Sequence, residues 1–150
     1  MKELMMDKMT FAVSAKCEGT VTTATSSEHK LVIDADAEMG GKGMGPNPME
    51  TVLSALAACE NITARLIAQE MEFDLQGIDF EITAELDPQG VMGDLNIRTY
   101  FEKVEVKAVL QTTESDDRIQ ALKQAVERRC PAYGMVKAAN VEMIDLWVKA

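Results

Sequence analysis

Residues that stabilise disulfide-rich or metal-stabilised folds are scarce in this chain. The 150 residues include three cysteines and one histidine, and no two cysteines form a CxxC pair. A structural zinc site takes four cysteine or histidine ligands, usually with close cysteine spacing, so we expect no metal site. Three cysteines also cannot complete a disulfide framework, and we expect the fold to form without one.

Positive charge and long apolar runs are scarce as well. The net charge of −10 argues against nucleic acid as a partner, because phosphates need a basic surface. No stretch approaches the roughly 20 apolar residues of a membrane span. The amino-terminal "MKELMMDKMTFAVSAK" is charged where a signal peptide would be apolar. We therefore expect a cytoplasmic protein without membrane partners, whose cysteines start reduced.

The remaining composition is that of one globular domain, which we assign to residues 1–150. Apolar residues make up 47% of the chain and charged residues 27%, which is typical of the globular class. The chain is long enough to bury a real core. The glycine-rich "EMGGKGMGPNP" lacks the pattern of a phosphate-binding loop, so we expect no phosphate site there.

Hydrophobic periodicity predicts an α+β fold. Apolar residues alternate in "MTFAVSAKC" (residues 9–17), in "GIDFEITAELD" and in "YFEKVEVKAVLQ", which is typical of half-buried strands. Further strands are predicted in "TVTTAT", "LVIDA" and residues 141–148, and helices after Asn47 and Ser115. The order is strands, helix, strands, helix, strand, and the short turns favour antiparallel sheets.

The first helix has a clear start signal and contains a cysteine. Asn47 fits the N-cap, Pro48 the first helical position, and Glu50 lies three residues after the cap, as in a capping box. The three-and-four spacing of apolar residues places Cys59 on or beside the buried stripe, among small alanines.

A second cysteine, Cys130, precedes Pro131, which fits the start of a short helix. A helix N-terminus and the neighbouring Arg128 and Arg129 both favour a thiolate there, so these local charges favour Cys130 over Cys59 as the activated thiol. The alternative is that both cysteines are ordinary core residues, since free cysteine is often buried.

The two cysteine segments together resemble a known family. "GPNPMETVLSALAAC", followed about 70 residues later by "CPAYGMVKAANVEM", resembles the OsmC/Ohr family of osmotically inducible and organic hydroperoxide resistance proteins, over essentially the whole chain. The resemblance implies a β-β-β-α-β-β-β-α-β order, with antiparallel sheets packed around two main helices. It also implies a tightly intertwined homodimer with its active sites at the subunit interface.

The resemblance further implies a thiol peroxidase that reduces organic hydroperoxides in oxidative stress defence. Carried over by position, Cys59 is the peroxidatic cysteine and Cys130 the resolving cysteine, while Cys17 lies outside both motifs and is structural. No metal, flavin or haem is implied, and an external dithiol supplies the electrons.

The family's glutamate and arginine are matched only in part. In the family this pair promotes ionisation of the first cysteine. Glu50 lies one position after the family's glutamate, where this chain has Met49, and its capping role competes with a catalytic one. No arginine precedes Arg65, and Lys42 is the cation of the glycine-rich loop. This departure points to the OsmC-like branch of the family.

Two alternatives to a peroxidase remain open. The missing arginine favours an OsmC-fold protein that binds a small apolar molecule at the dimer interface, and Met39, Met44 and Met49 could pack adaptably against such a ligand. The paired cysteines also suit a redox sensor whose disulfide changes partner binding. Turnover with a dithiol donor separates an enzyme from a sensor.

Overall fold

A computed structural model describes residues 7–150 and divides them into two compact units. The first unit ends at Val52, and the second is Leu53–Ala150. Residues 1–6 lie outside the described part of the chain. The expectation of no signal peptide concerns a segment that begins with these residues.

The first unit contains a three-stranded antiparallel sheet of order β1-β2-β3. Strands β1 (Ser14–Glu18), β2 (Val21–Ser26) and β3 (His29–Ile33) are joined by two-residue turns. Gly19 has a φ of 60° in the first of them, a left-handed conformation that tight hairpin turns require. The strands predicted in this region are therefore confirmed, apart from the start of the first.

The first strand begins later than the alternation predicts. Met9, Phe11 and Val13 precede β1, and Phe11 is 83% exposed. Pairing with β2 begins only at Ser14, opposite Thr25, and the described part of the chain pairs no strand with residues 9–13. The predicted strand over residues 9–17 is therefore wrong in its first half, because alternation buries a face only where a neighbouring strand or layer is available.

The glycine-rich loop after β3 is fixed by one carboxylate. Asp34 is buried, and its oxygens accept hydrogen bonds from Thr20 Oγ1 and the Ala35 amide, both at 2.7 Å. It also accepts from the backbone amides of Lys42 (2.9 Å) and Met44 (3.2 Å). The bond from Thr20, followed by the three amides, holds the pKa of Asp34 at about 2. In a phosphate site, backbone amides of the loop would bind the anion. Here the amides of Lys42 and Met44 donate to Asp34 instead.

Replacing Asp34 by alanine is expected to release this loop. The amides of Lys42 and Met44 lose their acceptor, so their hydrogen exchange should accelerate roughly tenfold or more. Amide exchange followed by NMR measures this, with Glu28→Ala in an exposed turn as the matched control. Unchanged exchange of the two amides in Asp34→Ala would show that the carboxylate does not hold the loop.

The second unit contains a three-stranded sheet of order β4-β5-β6. Strands β4 (Gly77–Glu85) and β5 (Lys103–Gln111) are antiparallel, whereas β6 (Glu142–Lys149) runs parallel to β5. The α+β class is confirmed, and antiparallel pairing dominates as expected, although β6 pairs with β5 in parallel. Two helices separate these strands in the chain, and such a crossover permits parallel pairing.

The number of strands also differs from the expected order. Two strands, β4 and β5, follow the first long helix where the family order has three, and the short helix α2 (Pro88–Val91) lies between them. Asp87 caps α2 by accepting a 2.9 Å hydrogen bond from the Gln89 amide, and Pro88 fits its first position. The segment "PQGVMGD", predicted as a turn, therefore begins with one helical turn.

The first long helix, α1, spans Pro48–Glu70. Its capping box is confirmed, because the Glu50 amide donates to Asn47 Oδ1 at 2.7 Å and the Asn47 amide donates to Glu50 Oε1 at 3.0 Å. Its buried side chains recur at three-and-four spacing: Leu56, Glu60, Thr63, Ala64, Ile67 and Ala68. The apolar members of this set join the core of the second unit.

Helix α1 is also long and apolar enough to cross a membrane, by length and composition alone. It has 23 residues and an 18-residue window of mean hydropathy 1.2, so the expectation that no segment approaches a span is wrong by that measure. Core helices of soluble proteins pass the same test. We assign α1 to the core because Leu56, Ala64 and Ile67 are buried in the hydrophobic cluster.

Two helices connect β5 to β6, namely α3 (Asp116–Arg129) and α4 (Pro131–Ala138). Ser115 caps α3 by accepting a 3.3 Å hydrogen bond from the Arg118 amide, as the sequence predicts. The core of this unit is formed by the inner face of β5, the buried stripe of α3 and Trp147 of β6. The junction between α3 and α4 is Cys130, which brings this cysteine into the core.

Candidate functional site

The second unit brings Cys59 and Cys130 together. Cys59 lies in α1, is partly exposed and packs against the hydrophobic core, whereas Cys130 is 2% exposed. The Cys59 side chain lies close enough to Cys130 to contribute to raising the pKa of its thiol. Two cysteines that are distant in sequence are therefore adjacent in space, one reachable from solvent and the other enclosed.

Cys130 forms the start of α4, as the sequence predicts. Its Sγ accepts a hydrogen bond from the Tyr133 amide at 3.5 Å, and Pro131 takes the first helical position. The backbone φ of −75° and ψ of 118° is extended, as at an ordinary N-cap. This geometry fixes the sulfur at the end of the helix.

The expectation that Cys130 is an activated thiol is wrong. Burial raises the pKa of the Cys130 thiol, and the Tyr133 amide, which lowers it, only partly offsets that effect. The Arg129 guanidinium forms a bidentate ion pair with the Glu70 carboxylate, with N–O distances of 2.6 and 3.0 Å. The Arg128 side chain is exposed. Desolvation outweighs the helix terminus because the sulfur lies in the core.

The other candidate residues lie in the first unit. Glu50 completes the capping box of α1, which is the structural role considered for it from the sequence. Its part in catalysis stays a prediction. Cys17 is exposed on β1, with its Sγ 3.5 Å from Thr22 Oγ1.

The arginines of the chain have other contacts. Arg98 donates to the Asn140 and Glu102 carbonyls, Arg118 pairs with Glu114, and Arg129 pairs with Glu70. Arg65 and Arg128 are exposed. Among residues 7–150, no hydrogen bond or ion pair joins an arginine to the Cys59 thiol. The structure therefore does not show the arginine partner expected in the peroxidase branch.

A buried glutamate beside Cys59 was not anticipated. Glu60 is 0% exposed, and within the described residues neither of its carboxyl oxygens has a hydrogen-bond partner. Burial, reinforced by the negative charges of Asp145 and Glu127, raises the pKa of Glu60 to about 8. The sequence carried a signal, because Glu60 falls four residues after buried Leu56 on the stripe of α1.

Two further contacts organise the surroundings of Glu60. The Tyr133 hydroxyl donates to Asp145 Oδ2 at 2.8 Å, and burial raises the pKa of both groups. Lys123 Nζ lies 3.2 Å from Glu127 Oε1, within one turn of α3. In the part of the chain that the structure describes, no cluster of histidine, cysteine and carboxylate ligands could hold a metal ion.

The chain is similar to a protein family, to a hydroperoxide reductase and to solved structures. Residues 40–144 match the family described as OsmC-like protein. The chain is 25% identical over 141 residues to the hydroperoxide reductase of Mycoplasma pneumoniae, covering 94% of this chain and 96% of that protein. The crystal structure of an OsmC-like protein from Mycoplasma pneumoniae superposes with a TM-score of 0.84 at 20% identity, over 96% and 99% of the two chains.

A third likeness is to the crystal structure of an organic hydroperoxide resistance protein from Elizabethkingia anophelis, which has thiocyanate bound. Its TM-score is 0.76 at 15% identity, over 96% of this chain and 99% of that one. At this identity the likeness establishes the shared fold. The α+β architecture described above is therefore the fold of these proteins.

Proposed function

We propose that this chain, which belongs to the OsmC-like protein family, reduces organic hydroperoxides with a pair of cysteines. A peroxide-related redox role is supported by the likeness to a hydroperoxide reductase. The observation that carries the proposal is the proximity of the Cys59 and Cys130 side chains in the core of the second unit. Residues 1–150 then form one OsmC-like domain that acts in the cytoplasm in oxidative stress defence.

The exposure of the two cysteines supports the roles proposed for them. Cys59 is partly exposed and Cys130 is enclosed, so a hydroperoxide reaches Cys59 first. The Cys59 thiolate attacks the terminal peroxide oxygen, the O–O bond breaks, and the alkoxide takes up a proton and leaves as an alcohol. Cys59 is thereby oxidised to a sulfenic acid.

The second step forms a disulfide. The Cys130 sulfur, having lost its proton, attacks the Cys59 sulfur, the S–S bond forms, and the hydroxyl leaves as water. An external dithiol then reduces the disulfide by thiol–disulfide exchange and returns both thiols. The proximity of the two side chains supports this step.

The direct test is steady-state consumption of cumene hydroperoxide with dithiothreitol as electron donor. Sustained turnover is the expected result and distinguishes an enzyme from a sensor. A protein that forms its disulfide once without turnover would be a redox sensor. A protein that binds hydroperoxide without consuming it would be a ligand-binding member of the family, a reading that the exposed side chains of Met39 and Met44 favour.

A homodimer is supported by the outer face of α1. Ile62 is 69% exposed, and Val52 and Leu66 are also exposed on this helix. Apolar side chains on a long helix are costly to leave in water, so we propose that a second copy covers them. The organic hydroperoxide, or another apolar ligand, would then bind at the interface between the two copies.

Light scattering after size exclusion tests the dimer. The wild type should have about twice the 16.5 kDa chain mass. Ile62→Asp buries a charge in the interface, and we expect it to shift the protein to the monomer mass. Gln124→Asp, at an exposed polar position of α3, should leave the mass unchanged. A monomeric wild type would contradict the proposal.

A further inference from the structure

The helix that begins after Cys130 is weak by its own local sequence. Helix α4 has eight residues, fewer than the roughly 12 that an isolated helix needs in water. Gly134 lies inside it, where a side chain would meet nothing within 4 Å, so the cost of glycine in a helix is not offset by a close approach. Within Pro131–Ala138 the buried residue is Tyr133. The position of α4, and of the Cys130 sulfur at its start, therefore depends largely on Tyr133.

Tyr133 makes two hydrogen bonds that point in different directions. Its backbone amide donates to Cys130 Sγ at 3.5 Å, and its hydroxyl donates to Asp145 Oδ2 at 2.8 Å. The residue is 5% exposed, so water competes little for the hydroxyl. A single residue thus connects the Cys130 sulfur to strand β6.

Asp145 is a firm point of attachment. It lies in the middle of β6, opposite the buried Val106 of β5. Trp147, two residues further along the same face of β6, is buried and packs edge-on against Phe80 of β4. The other oxygen of the carboxyl, Oδ1, has no hydrogen-bond partner among residues 7–150. The hydroxyl of Tyr133 is therefore important in satisfying this half-buried carboxyl.

We infer that the hydrogen bond between Tyr133 and Asp145 holds the start of α4 in place, so that the Cys130 sulfur stays in reach of the Cys59 sulfur. This inference rests on the proposed function. Tyr133 and Asp145 are positioning residues, because they act on the reaction through Cys130.

The step that depends on this position is disulfide formation. The Cys130 thiol loses its proton, the S–S bond forms, and the S–O bond of the Cys59 sulfenic acid breaks, with the hydroxyl leaving as water. A small displacement of an attacking atom lowers the rate of such a step strongly. The earlier attack of Cys59 on the hydroperoxide does not involve Cys130, so it proceeds without the hydrogen bond.

Tyr133 acts by geometry in this account, with no proton transfer. Burial, and then the hydrogen bond to Asp145, raises the pKa of the Tyr133 hydroxyl far above its ordinary value. The hydroxyl therefore keeps its proton and remains a hydrogen-bond donor over the whole working range of pH.

The test is a single-turnover experiment on the reduced protein. After one equivalent of cumene hydroperoxide, samples are quenched by thiol alkylation at successive times, with dimedone trapping of sulfenic acid, and analysed by mass spectrometry. Tyr133→Phe keeps the ring and removes the hydroxyl. It should form the Cys59 sulfenic acid at the wild-type rate and convert it to the disulfide roughly tenfold more slowly. An unslowed conversion, or equal slowing of both steps, overturns the inference.

Two substitutions of Asp145 separate the hydrogen bond from the charge. Asp145→Asn keeps an acceptor for the tyrosine hydroxyl and removes the charge, so disulfide formation should stay within about twofold of the wild-type rate. Asp145→Leu is similar in shape and has no acceptor, and it should be as slow as Tyr133→Phe. Equal slowing in the two variants would assign the effect to the charge and overturn the inference.

The other tyrosine of the chain supplies the matched control. Tyr100 is 47% exposed, and its ring lies 5.3 Å from the Arg98 guanidinium, a contact that phenylalanine keeps. Tyr100→Phe should therefore form both the sulfenic acid and the disulfide at the wild-type rates. If Tyr133→Phe fails to fold, Asp145→Leu takes its place, because it removes the same hydrogen bond from the acceptor side.

Failure of the proposed function looks different from failure of this inference. If the wild type forms no Cys59 sulfenic acid, the proposed function is wrong. The positioning role is then measured in mixtures of oxidised and reduced glutathione, which form the Cys59–Cys130 disulfide without a hydroperoxide. Variants without the hydrogen bond should lower the equilibrium constant for this disulfide about tenfold, and an unchanged constant overturns the inference.

Discussion

Cumene hydroperoxide reduction is expected to fall to the uncatalysed background in Cys59→Ser. In the proposed mechanism the Cys59 sulfur is the atom that receives the peroxide oxygen, and a serine hydroxyl cannot be oxidised in this way. The enclosed Cys130 cannot substitute for it, because burial both blocks access and raises the pKa of its thiol. Hydroperoxide consumption with dithiothreitol as donor measures the loss.

The two other cysteines supply the matched variants. Cys130→Ser should still form the sulfenic acid at Cys59, but the acid should persist and react with dimedone because the resolving thiol is gone. Cys17→Ser should behave as the wild type, since Cys17 lies exposed on β1 in the first unit. Residual turnover in Cys59→Ser, or its loss in Cys17→Ser, would assign the chemistry to a different thiol.

The free energy of unfolding is expected to decline with rising pH in the wild type and to decline less in Glu60→Gln. The pKa of Glu60 is about 8 in the folded protein, against 4.5 for an ordinary glutamate. Below pH 4.5 Glu60 is protonated in both the folded and the unfolded state, and its contribution to the free energy of unfolding is fully present. Between pH 4.5 and 8 the unfolded chain ionises first, so the folded state binds more protons and stability falls as pH rises.

The size of this effect follows from the pKa difference. Each pKa unit corresponds to about 1.4 kcal/mol, so between pH 4.5 and 8 the wild type should lose about 5 kcal/mol of unfolding free energy relative to Glu60→Gln. Glutamine is similar in shape and does not ionise, so Glu60→Gln should gain stability relative to the wild type as pH rises. Urea unfolding at pH 5 and pH 9 for both proteins measures the difference.

Glu70→Gln should show a change of opposite sign. The hydrogen bond to Arg129 lowers the pKa of Glu70, so its contribution is present above the unfolded pKa and is lost as pH falls. Removing this exposed pair should cost little stability at neutral pH, and less still in acid. Parallel stability curves for the wild type and Glu60→Gln would mean that Glu60 is not held as a buried acid.

Local sequence signals predicted the elements that carry the cysteines. The capping box of Asn47 and Glu50, the position of Cys59 beside the buried stripe of α1 and the N-cap position of Cys130 are all found in the structure. Each depends on residues within one or two helical turns, so the relevant physics is contained in a short segment. The α+β class follows from the same kind of periodicity.

Features that depend on distant neighbours could not be predicted in this way. The parallel pairing of β5 and β6 and the exposure of Met9 and Phe11 depend on which strand lies alongside each segment. The raised pKa of Cys130 results from its depth in the core, which its arginine neighbours in sequence do not reveal. The helical pattern shows that Glu60 falls on the buried stripe of α1. Its acidic neighbours Asp145 and Glu127 come from distant segments, so the raised pKa of Glu60 could not be predicted from the sequence.

The central claim is that Cys59 and Cys130 act as a redox pair, and peptide mass spectrometry tests it most directly. The reduced protein is exposed briefly to one equivalent of cumene hydroperoxide, alkylated and digested. The account predicts rapid and selective formation of a Cys59–Cys130 disulfide, with Cys17 recovered as the free thiol. If Cys59 and Cys130 both remain reduced, or if the disulfide that forms includes Cys17, the account is contradicted.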